Sequence, residues 1–384
     1  MRIVWFCIPA HGHTNPTLGL VKEMTKAGHE VIYFSFEQFR EKIENAGAEF
    51  VPCDAYDFDM EDKDAGDRVG KDMAFATELL VKSTLALDDM VAGKVAQIKP
   101  DLIISDSVAY WGKLTAMKYQ IPYVSSTTTF AFNQYSSRYM KQGIGALFKM
   151  LFSMPKINKQ LKRLQEKGYP VKSILEIVQN DNNTNTIVYT SREFQPCADT
   201  FSDKYCFIGP SIRPVVTPME KTAEKTIYIS MGTVMKNKEI YRNCVEALRD
   251  TPYQVIISLG ENVEEYTDLP DNIKVFDTVD QMAVLSITDV FLTHCGMNSA
   301  SEALYYEVPL VLCPQTPEQG AVAKRVEELG AGVKLTSDGQ KEILTAIETV
   351  LATPQYKLAA KEISKGFHRC GGAKAAREYL EGLM

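Results

Sequence analysis

The chain lacks the features of a secreted, disulfide-bonded or membrane-spanning protein. Its eight cysteines form no C-x-x-C pair, and several lie in predicted buried strands, so we expect reduced thiols in a cytoplasmic protein. No run approaches the ~20 apolar residues of a membrane span. The apolar run over residues 3–8 is too short for a signal peptide and predicts a first strand instead. With a net charge of −7 and a pI near 5.5, neither nucleic acid nor an anionic membrane is expected as main partner.

Two common nucleotide-binding motifs are also missing. The turn after the first strand reads PAHGHTNP and lacks the G-x-G-x-x-G of a nicotinamide oxidoreductase. Gly143 and Gly145 do not follow a predicted strand in the required way. The segment from Gly66 to Lys71 has one residue too few for a P-loop, and no Ser or Thr follows the lysine. These absences argue against a dehydrogenase and against a P-loop nucleotidase.

What the chain does contain is a repeated alternation of apolar strands and helices, typical of doubly wound parallel sheets. Its 384 residues suggest two domains of ~150–200 residues each. We predict an α/β protein of two Rossmann-like domains, over residues 1–210 and 226–369, joined by a Pro-rich linker at 211–225 and followed by a terminal helix at 370–384. Strand patterns recur at 30–35, 49–53, 101–106, 123–126, 186–190, 206–209, 226–230, 254–259, 273–277, 289–294, 309–313 and 332–335.

The most informative stretch is DVFLTHCGMNSASEALYYEVPLVLCPQTPEQ, residues 289–319. A buried strand pattern runs into a sharp turn at His294 and Gly296. Asn298 and Ser299 are then predicted to cap a short helix. Backbone N–H groups and the positive end of a helix dipole converge at such a turn, and a glycine lets an anion approach the backbone. The stretch therefore predicts a phosphate site.

Three further side chains extend this predicted site. Glu302 stands one turn into the helix, where its carboxylate suits a sugar hydroxyl. Glu318 and Gln319 follow the next strand, at the end of the sheet where ligands of open α/β folds bind. A phosphate, a ribose and a second sugar would thus be held by one unit. The plainer alternative for each single residue is an ordinary strand–turn–helix with a capping asparagine and a core histidine.

A second candidate site combines His13 with Asp106. His13 follows the first strand, and Asn15 before Pro16 predicts the start of the first helix. Asp106 ends the fourth strand, and the first and fourth strands flank the switch point of a doubly wound sheet, so these side chains are expected to meet. A carboxylate behind an imidazole fixes its tautomer and makes a general base. Taken alone, His13 is more simply a turn histidine that bonds the backbone.

The surroundings of His13 suggest an apolar pocket. His11 could form a metal pair with His13, but no third ligand stands at metal-site spacing, so we expect no metal and place His11 in the wall of the pocket. Aromatic and Met residues crowd positions 127–180. Such a set is more often core, although adaptable apolar pockets use the same residue types. The candidates for acceptor contacts are Phe130, Phe132 and Tyr135.

Two motifs together resemble a known family. HCGxNSxxEAL followed by PxxxEQ resembles the nucleotide-sugar motif of the family 1, UDP-dependent glycosyltransferases. IPAHGHxNP with a strand-end Asp resembles their bacterial macrolide and flavonoid branch. The resemblance covers nearly the whole chain and implies the GT-B fold, with two Rossmann-like domains facing across a cleft and a last helix that returns to the first domain. It also implies that His13 is the catalytic base and Asp106 its partner.

Other donor contacts are implied by this resemblance alone. SMGTVM is similar to the family's SxGT turn, so Gly232 and Thr233 are expected at the diphosphate. Where plant members have Trp-x-Pro-Gln, this chain has TVDQ. Thr278 therefore replaces the ring that stacks on uracil, and the backbone of Val279 and the side chain of Gln281 remain as expected contacts of the base.

We expect an inverting transferase that moves a hexose, with glucose as the first choice, from UDP-glucose or a related nucleotide sugar. Its acceptor would be a hydroxyl of a small apolar molecule such as a flavonoid, another phenolic or a macrolide. No metal or other cofactor, no nucleic acid and no stable membrane insertion are expected, and the chain would act as a monomer or homodimer. Two enzymatic alternatives share the GT-B fold. A lipid-linked sugar transferase would be expected to show a basic apolar face for membrane docking. A sugar-nucleotide epimerase would need further acid–base residues in the cleft. A nucleotide-sugar sensor is the non-enzymatic alternative, against which the His13–Asp106 pair argues.

Overall fold

Each half of the chain is built on its own parallel β-sheet in the computed structural model, which describes residues 1–54, 72–139, 144–232, 238–260, 263–266 and 268–384, apart from the side chains of 144–151 and 238. The first compact unit comprises Met1–Tyr189, Cys197–Ile208 and Gly371–Met384. The second comprises Thr190–Pro196 and Gly209–Cys370. The chain therefore passes between the units after residues 189, 196, 208 and 370.

The first unit has a sheet in the order β3-β2-β1-β4-β5-β6-β7, with every pair parallel. The order reverses between β1 and β4, which makes this the switch point of the sheet. The strands are β1 (Arg2–Phe6), β2 (Glu30–Ser35), β3 (Glu49–Pro52), β4 (Leu102–Asp106), β5 (Tyr123–Thr127), β6 (Thr186–Val188) and β7 (Tyr205–Phe207). The helices between them are α1 (His11–Lys26), α2 (Arg40–Asn45), α3 (Met73–Ile98), α4 (Tyr110–Tyr119), α5 (Ile144–Glu166) and α6 (Ile174–Val178).

Both faces of this sheet are covered by helices, because successive side chains of a strand point to opposite faces. Ile3 and Trp5 of β1 belong to one buried cluster together with Leu20 of α1. Val4 and Phe6 belong to the opposite cluster, which includes residues of α3. Continuous apolar strands such as IVWF are therefore buried throughout, as parallel sheets require.

The second unit repeats the pattern with a sheet in the order β10-β9-β8-β11-β12-β13, again all parallel. Its switch point lies between β8 and β11. The strands are β8 (Thr226–Ser230), β9 (Gln254–Ser258), β10 (Ile273–Phe276), β11 (Val290–Thr293), β12 (Leu310–Leu312) and β13 (Gly332–Lys334). The helices are α7 (Lys238–Leu248), α8 (Gln281–Leu285), α9 (Met297–Tyr305), α10 (Pro317–Glu328), α11 (Gln340–Ala352) and α12 (Pro354–Arg369). Short 3-10 turns lie at Glu37–Phe39, Ser136–Tyr139, Ala198–Thr200 and Val263–Glu265.

The last helix, α13 (Gly372–Glu381), belongs to the first unit. Its Ala376 and Leu380 are buried in the cluster that contains Ile3. The Tyr379 hydroxyl donates to the backbone carbonyl of Lys204 over 2.8 Å. The final residues of the chain are thus part of the core of its N-terminal unit. Within the described residues, no helix is long and apolar enough to cross a bilayer.

The residues before β8 are hydrogen-bonded to the second unit. The Thr222 N–H donates to Gln254 Oε1 over 2.9 Å, and Lys221 Nζ lies 2.6 Å from Asp289 Oδ2. The Val216 N–H donates to Asp280 Oδ2 over 3.1 Å. These contacts fix the Pro-rich segment 211–225 along one unit.

The short segment 190–196 is also anchored in the second unit. Phe194 is fully buried and meets Phe367 edge to face, with ring centroids 5.5 Å apart. Arg325 donates to the backbone carbonyls of Phe194 and Glu193 over 3.0 and 2.8 Å. A buried ring and a bidentate guanidinium therefore hold this segment.

One predicted helix boundary is wrong. Helix α1 begins at His11 rather than at Pro16, which lies inside it. The N–H groups of His13 and Thr14 both donate to the Ala10 carbonyl, over 3.0 and 2.9 Å, so the first turn forms before the proline. Pro16 has a backbone φ angle that suits a helix and a ring that is buried in the unit. His11 and His13 consequently lie on the first helical turn.

Candidate active site

His13 and Asp106 meet at the switch point of the first sheet. His13 Nδ1 and Asp106 Oδ2 are 2.7 Å apart. The other carboxylate oxygen accepts the Val108 N–H over 3.0 Å. The Asp106 side chain is fully buried, whereas that of His13 is 19% exposed. Because Nδ1 donates to the carboxylate, Nε2 is the nitrogen that would take a proton.

Ionisable groups around Asp106 are held neutral. Burial raises the pKa of the Cys7 thiol and of the Tyr189 hydroxyl, and the nearby Asp106 charge raises both further. Burial and Asp106 likewise raise the pKa of Tyr110 to about 12. These three neighbours are therefore uncharged at neutral pH, and none of them shares the role of Asp106 in stabilising the imidazolium form of His13.

The predicted anion site lies between β11 and α9. Cys295 has φ +66°, and Gly296 is the residue that caps α9. The predicted capping by Asn298 and Ser299 is wrong, because α9 begins at Met297 and both residues lie in its first turn. With the left-handed backbone at Cys295, the chain turns before the residues that the capping pattern selected, and the cap falls on Gly296. The first N–H groups of α9 still mark the positive end of the helix.

His294 occupies a space left by two glycines at the switch point of the second sheet. A Cβ atom on Gly232 would lie 2.7 Å from His294 Cε1, and one on Gly296 would lie 2.5 Å from Nε2. Gly232 also has φ +73°, which favours glycine. Any larger residue at either position would displace the ring.

The His294 imidazole is neutral at physiological pH. Burial lowers its pKa to about 4, and the Ser230 backbone opposes this shift in part. Its Nδ1 is buried and makes no hydrogen bond of normal geometry to any residue that the structure describes. The ring can therefore donate one N–H to a ligand without carrying a positive charge.

Glu302 is part of a partly buried polar network. Gln281 Nε2 donates to Glu302 Oε2 in a short hydrogen bond and lies 3.4 Å from Ser299 Oγ. The Tyr228 hydroxyl donates to Gln281 Oε1 over 3.1 Å. Burial raises the pKa of Glu302 to about 7, although the Gln281 hydrogen bond and the Arg213 charge lower it. Both protonation states of Glu302 are thus populated near neutral pH.

The remaining predicted donor residues belong to other segments of the chain. Val279 is half-buried and precedes Asp280, which caps α8 by accepting the Met282 N–H over 3.2 Å. Gln319 Oε1 accepts the Gln315 N–H over 2.8 Å and takes part in the capping box that starts α10. The side-chain oxygen Oε1 of Gln319 therefore has a structural role. Glu318 is half-buried in the same helical turn, and Thr233 lies outside the described residues.

Comparison with known proteins identifies the family. A family profile described as "UDP-glucoronosyl and UDP-glucosyl transferase" matches residues 216–370. A Bacillus subtilis (strain 168) protein, "Uncharacterized UDP-glucosyltransferase YojK", is 32% identical over 397 residues that span 99% of this chain and 96% of the relative. The chain belongs to this transferase family. The prediction of the family from its motifs is confirmed.

Other relatives of this glycosyltransferase are natural-product enzymes by name. The "Demethyllactenocin mycarosyltransferase" of Streptomyces fradiae is 30% identical over 402 residues, covering 100% of this chain and 86% of the relative. The crystal structure of CalG4, "the Calicheamicin Glycosyltransferase", matches with a TM-score of 0.83 at 27% identity, covering 99% of this chain and 97% of the other. The predicted GT-B fold of two Rossmann-like domains is confirmed.

The predicted acceptor residues of this glycosyltransferase differ in exposure. Phe130 is fully buried, Phe132 is half-buried and Tyr135 is 53% exposed. His11 is exposed and packs edge to face on Phe39, with ring centroids 5.0 Å apart. His11 thus contacts a different partner from His13. Among the described residues, no group of three His, Cys, Asp or Glu side chains could hold a metal ion.

Two contacts of the glycosyltransferase site were not expected from sequence. The hydroxyl of Thr128, directly after β5, lies 3.3 Å from His13 Nδ1. Thr128 follows β5, the neighbour of β4 in the sheet, so a search for polar residues at the ends of the strands next to the switch point would have included it if extended by one strand. Tyr228 lies in a fully buried strand, and nothing in that pattern indicated that its hydroxyl reaches Gln281.

Proposed function

We propose that this glycosyltransferase moves glucose from UDP-glucose to a hydroxyl of a small apolar acceptor, with inversion at the anomeric carbon and with His13 as general base. The observation that carries the proposal is the 2.7 Å hydrogen bond between His13 Nδ1 and the buried Asp106. A protein that only binds a nucleotide sugar has no use for such a base. General-base catalysis of this type contributes about 10²–10⁴-fold to a rate.

The proposed step is a single displacement. The acceptor hydroxyl gives its proton to His13 Nε2 while its oxygen bonds to the anomeric carbon. The bond between that carbon and the diphosphate oxygen breaks, and its electron pair leaves with UDP. Asp106 stabilises the imidazolium that forms. Because the nucleophile and the leaving group are on opposite faces of the sugar, the anomeric configuration inverts.

The turn before α9 supports the proposed binding position of the leaving diphosphate. The N–H groups at the start of α9 and the neutral imidazole of His294 are donors fixed before the reaction. Donors already aimed at a developing negative charge stabilise it without reorganisation. We therefore assign the leaving diphosphate to this turn, with Gly232 and Gly296 giving room for the His294 ring.

The donor and acceptor classes are supported from two sides. Glucose as the donor sugar follows the name of the Bacillus relative, a UDP-glucosyltransferase. Two relatives are named for transfer of sugars to demethyllactenocin and for calicheamicin. In this chain Val108, whose N–H is bonded to Asp106, has an apolar side chain that is 38% exposed, two residues from the proposed partner of the base. An apolar acceptor suits that surface.

The test is product detection by mass spectrometry with UDP-glucose and a panel of phenolic, flavonoid and macrolide acceptors, in the presence of EDTA. Wild-type protein is compared with His13→Ala and with His29→Ala as a control, since His29 bonds Glu381 instead of Asp106. Hexosylated products from wild type and His29→Ala, but not from His13→Ala, are expected. Equal product from all three would refute the role of His13. Binding of UDP-glucose without any product would favour a lipid-linked acceptor or a sensor.

A further inference from the structure

Arg213 is an exposed cation on the segment before β8, within electrostatic range of the partly buried network of the donor site. Its positive charge lowers the pKa of Glu302, so the guanidinium lies within electrostatic range of that carboxylate. Among the residues that the structure describes, Arg213 has no hydrogen bond or ion pair. An exposed arginine with no protein partner next to a polar site is available to a ligand.

The backbone around Arg213 is fixed to the same site. Three residues further on, the Val216 N–H donates to Asp280 Oδ2 over 3.1 Å. Asp280 caps α8, and Gln281, the first residue of α8, is bonded to Glu302. The segment 213–216 therefore runs beside the start of α8. The Val216 side chain is 83% exposed there.

The position of Glu302 along α9 indicates which part of a nucleotide sugar the segment 213–216 meets. Glu302 is the sixth residue of α9, about 7.5 Å along the axis from the first at 1.5 Å per residue. The proposed diphosphate site is at the N-terminus of α9, so the start of α8, which is bonded to Glu302, and the segment 213–216 beside it lie toward the nucleoside end. A nucleobase needs a flat surface to stack on. Thr278, before α8, is exposed and has no ring, whereas a guanidinium is planar and stacks on aromatic faces.

We propose that Arg213 is the stacking platform for the nucleobase of the donor, a specificity role that rests on the proposed function. The ribose would lie at Glu302 and the base on the guanidinium plane, next to the apolar side chain of Val216. Binding of the nucleobase would then need the planar guanidinium, and a positive charge without a flat surface would not replace it.

The test is calorimetric binding of UDP and of ribose 5-diphosphate, which has no base, to the full chain. Arg213→Ala is expected to weaken UDP binding about tenfold, by analogy with base stacking on other platforms, and to leave ribose 5-diphosphate unchanged. Arg213→Lys keeps the charge and is expected to behave like Arg213→Ala. Arg213→Trp restores a flat surface and is expected to regain most of the UDP affinity. Arg242→Ala, the loss of a surface arginine paired with Glu265, is the matched control.

Three results would overturn the inference. If Arg213→Ala weakens both ligands equally, or if Arg213→Lys binds UDP as wild type does, the arginine acts as a charge on the diphosphate. If Arg213→Ala has no effect and Tyr306→Leu lowers UDP affinity, then Tyr306, a half-buried ring that the charges of Asp280 and Glu302 reach, is the platform. If wild-type protein binds neither ligand, the proposed donor site itself is refuted, and this outcome is distinct from the first two.

Discussion

Donor binding is expected to depend on pH through Glu302. Burial raises the pKa of this carboxyl from 4.5 to about 7. Ribose hydroxyls donate hydrogen bonds, so the ionised carboxylate is the form that binds them well, and protonation competes with the donor. A group with a pKa near 7 is about 10% ionised at about pH 6 and about 90% ionised at about pH 8. The affinity for UDP-glucose should therefore rise about tenfold over this range, or about 1.4 kcal/mol.

The assay is isothermal titration of UDP-glucose, chosen because its diphosphate is esterified at both ends and does not titrate in this range. Glu302→Gln keeps the size of the side chain and removes the titration, so it should bind with little pH dependence. His294, with a pKa of about 4, stays neutral throughout and does not contribute. Measurements in two buffers of different ionisation enthalpy should also detect proton release on binding to wild type only. A wild-type affinity that is flat with pH, or an equal slope in Glu302→Gln, would refute the reasoning.

The same pKa shift has the opposite sign for folding. A carboxyl whose pKa is raised by burial contributes stability that is fully present below its ordinary pKa of 4.5 and is lost as pH rises through about 7. The free protein should lose this part of its stability between about pH 4.5 and about pH 7, just below the range where the donor binds best. Thermal unfolding with and without UDP-glucose should show the largest ligand-induced shift at the alkaline end.

Three further predictions concern single positions. Asp106→Asn should lower kcat by about 10²–10⁴-fold with little change in donor affinity, as measured by steady-state kinetics and calorimetry. Gly232→Ala should weaken UDP binding, because its Cβ would lie 2.7 Å from the His294 ring; Gly330→Ala, with a similar φ of +72° and no close contact, should bind UDP normally. Phe194→Ala should destabilise the chain by about 3–5 kcal/mol in urea unfolding, as expected for loss of a buried ring, and a stability change under 1 kcal/mol would contradict its role as an anchor.

Much of the fold was predictable from sequence because most of its strands are apolar runs buried on both faces. The predicted strand limits agree with β8 (Thr226–Ser230) at both ends and with β4 and β11 within one residue. Helix starts were less predictable. Pro16 and Asn298 have the right chemistry for a helix start, yet the first turns form earlier, at His11 and Met297, because of backbone contacts that the residue types do not encode.

The candidate site was predictable where it follows from topology and less so where it depends on packing. Strand order alone brings His13 to Asp106, since residues at neighbouring strand ends meet at a switch point. By contrast, the side chain of Gln281, expected at the base, is bonded to Glu302 and Tyr228. Tyr228 comes from a strand more than fifty residues earlier in the chain, and such a contact has no local signal.

The repeated passage of the chain between its two units has a consequence for making hybrids between relatives. The N-terminal half cannot be exchanged as one continuous piece, because its core includes the last helix with Ala376 and Leu380. A hybrid joined only near residue 208 would pair one parent's α1 with the other parent's α13. Exchange of segment 190–196 would likewise have to follow the half that carries Arg325 and Phe367. Exchange of either unit between relatives therefore requires co-transfer of these short pieces.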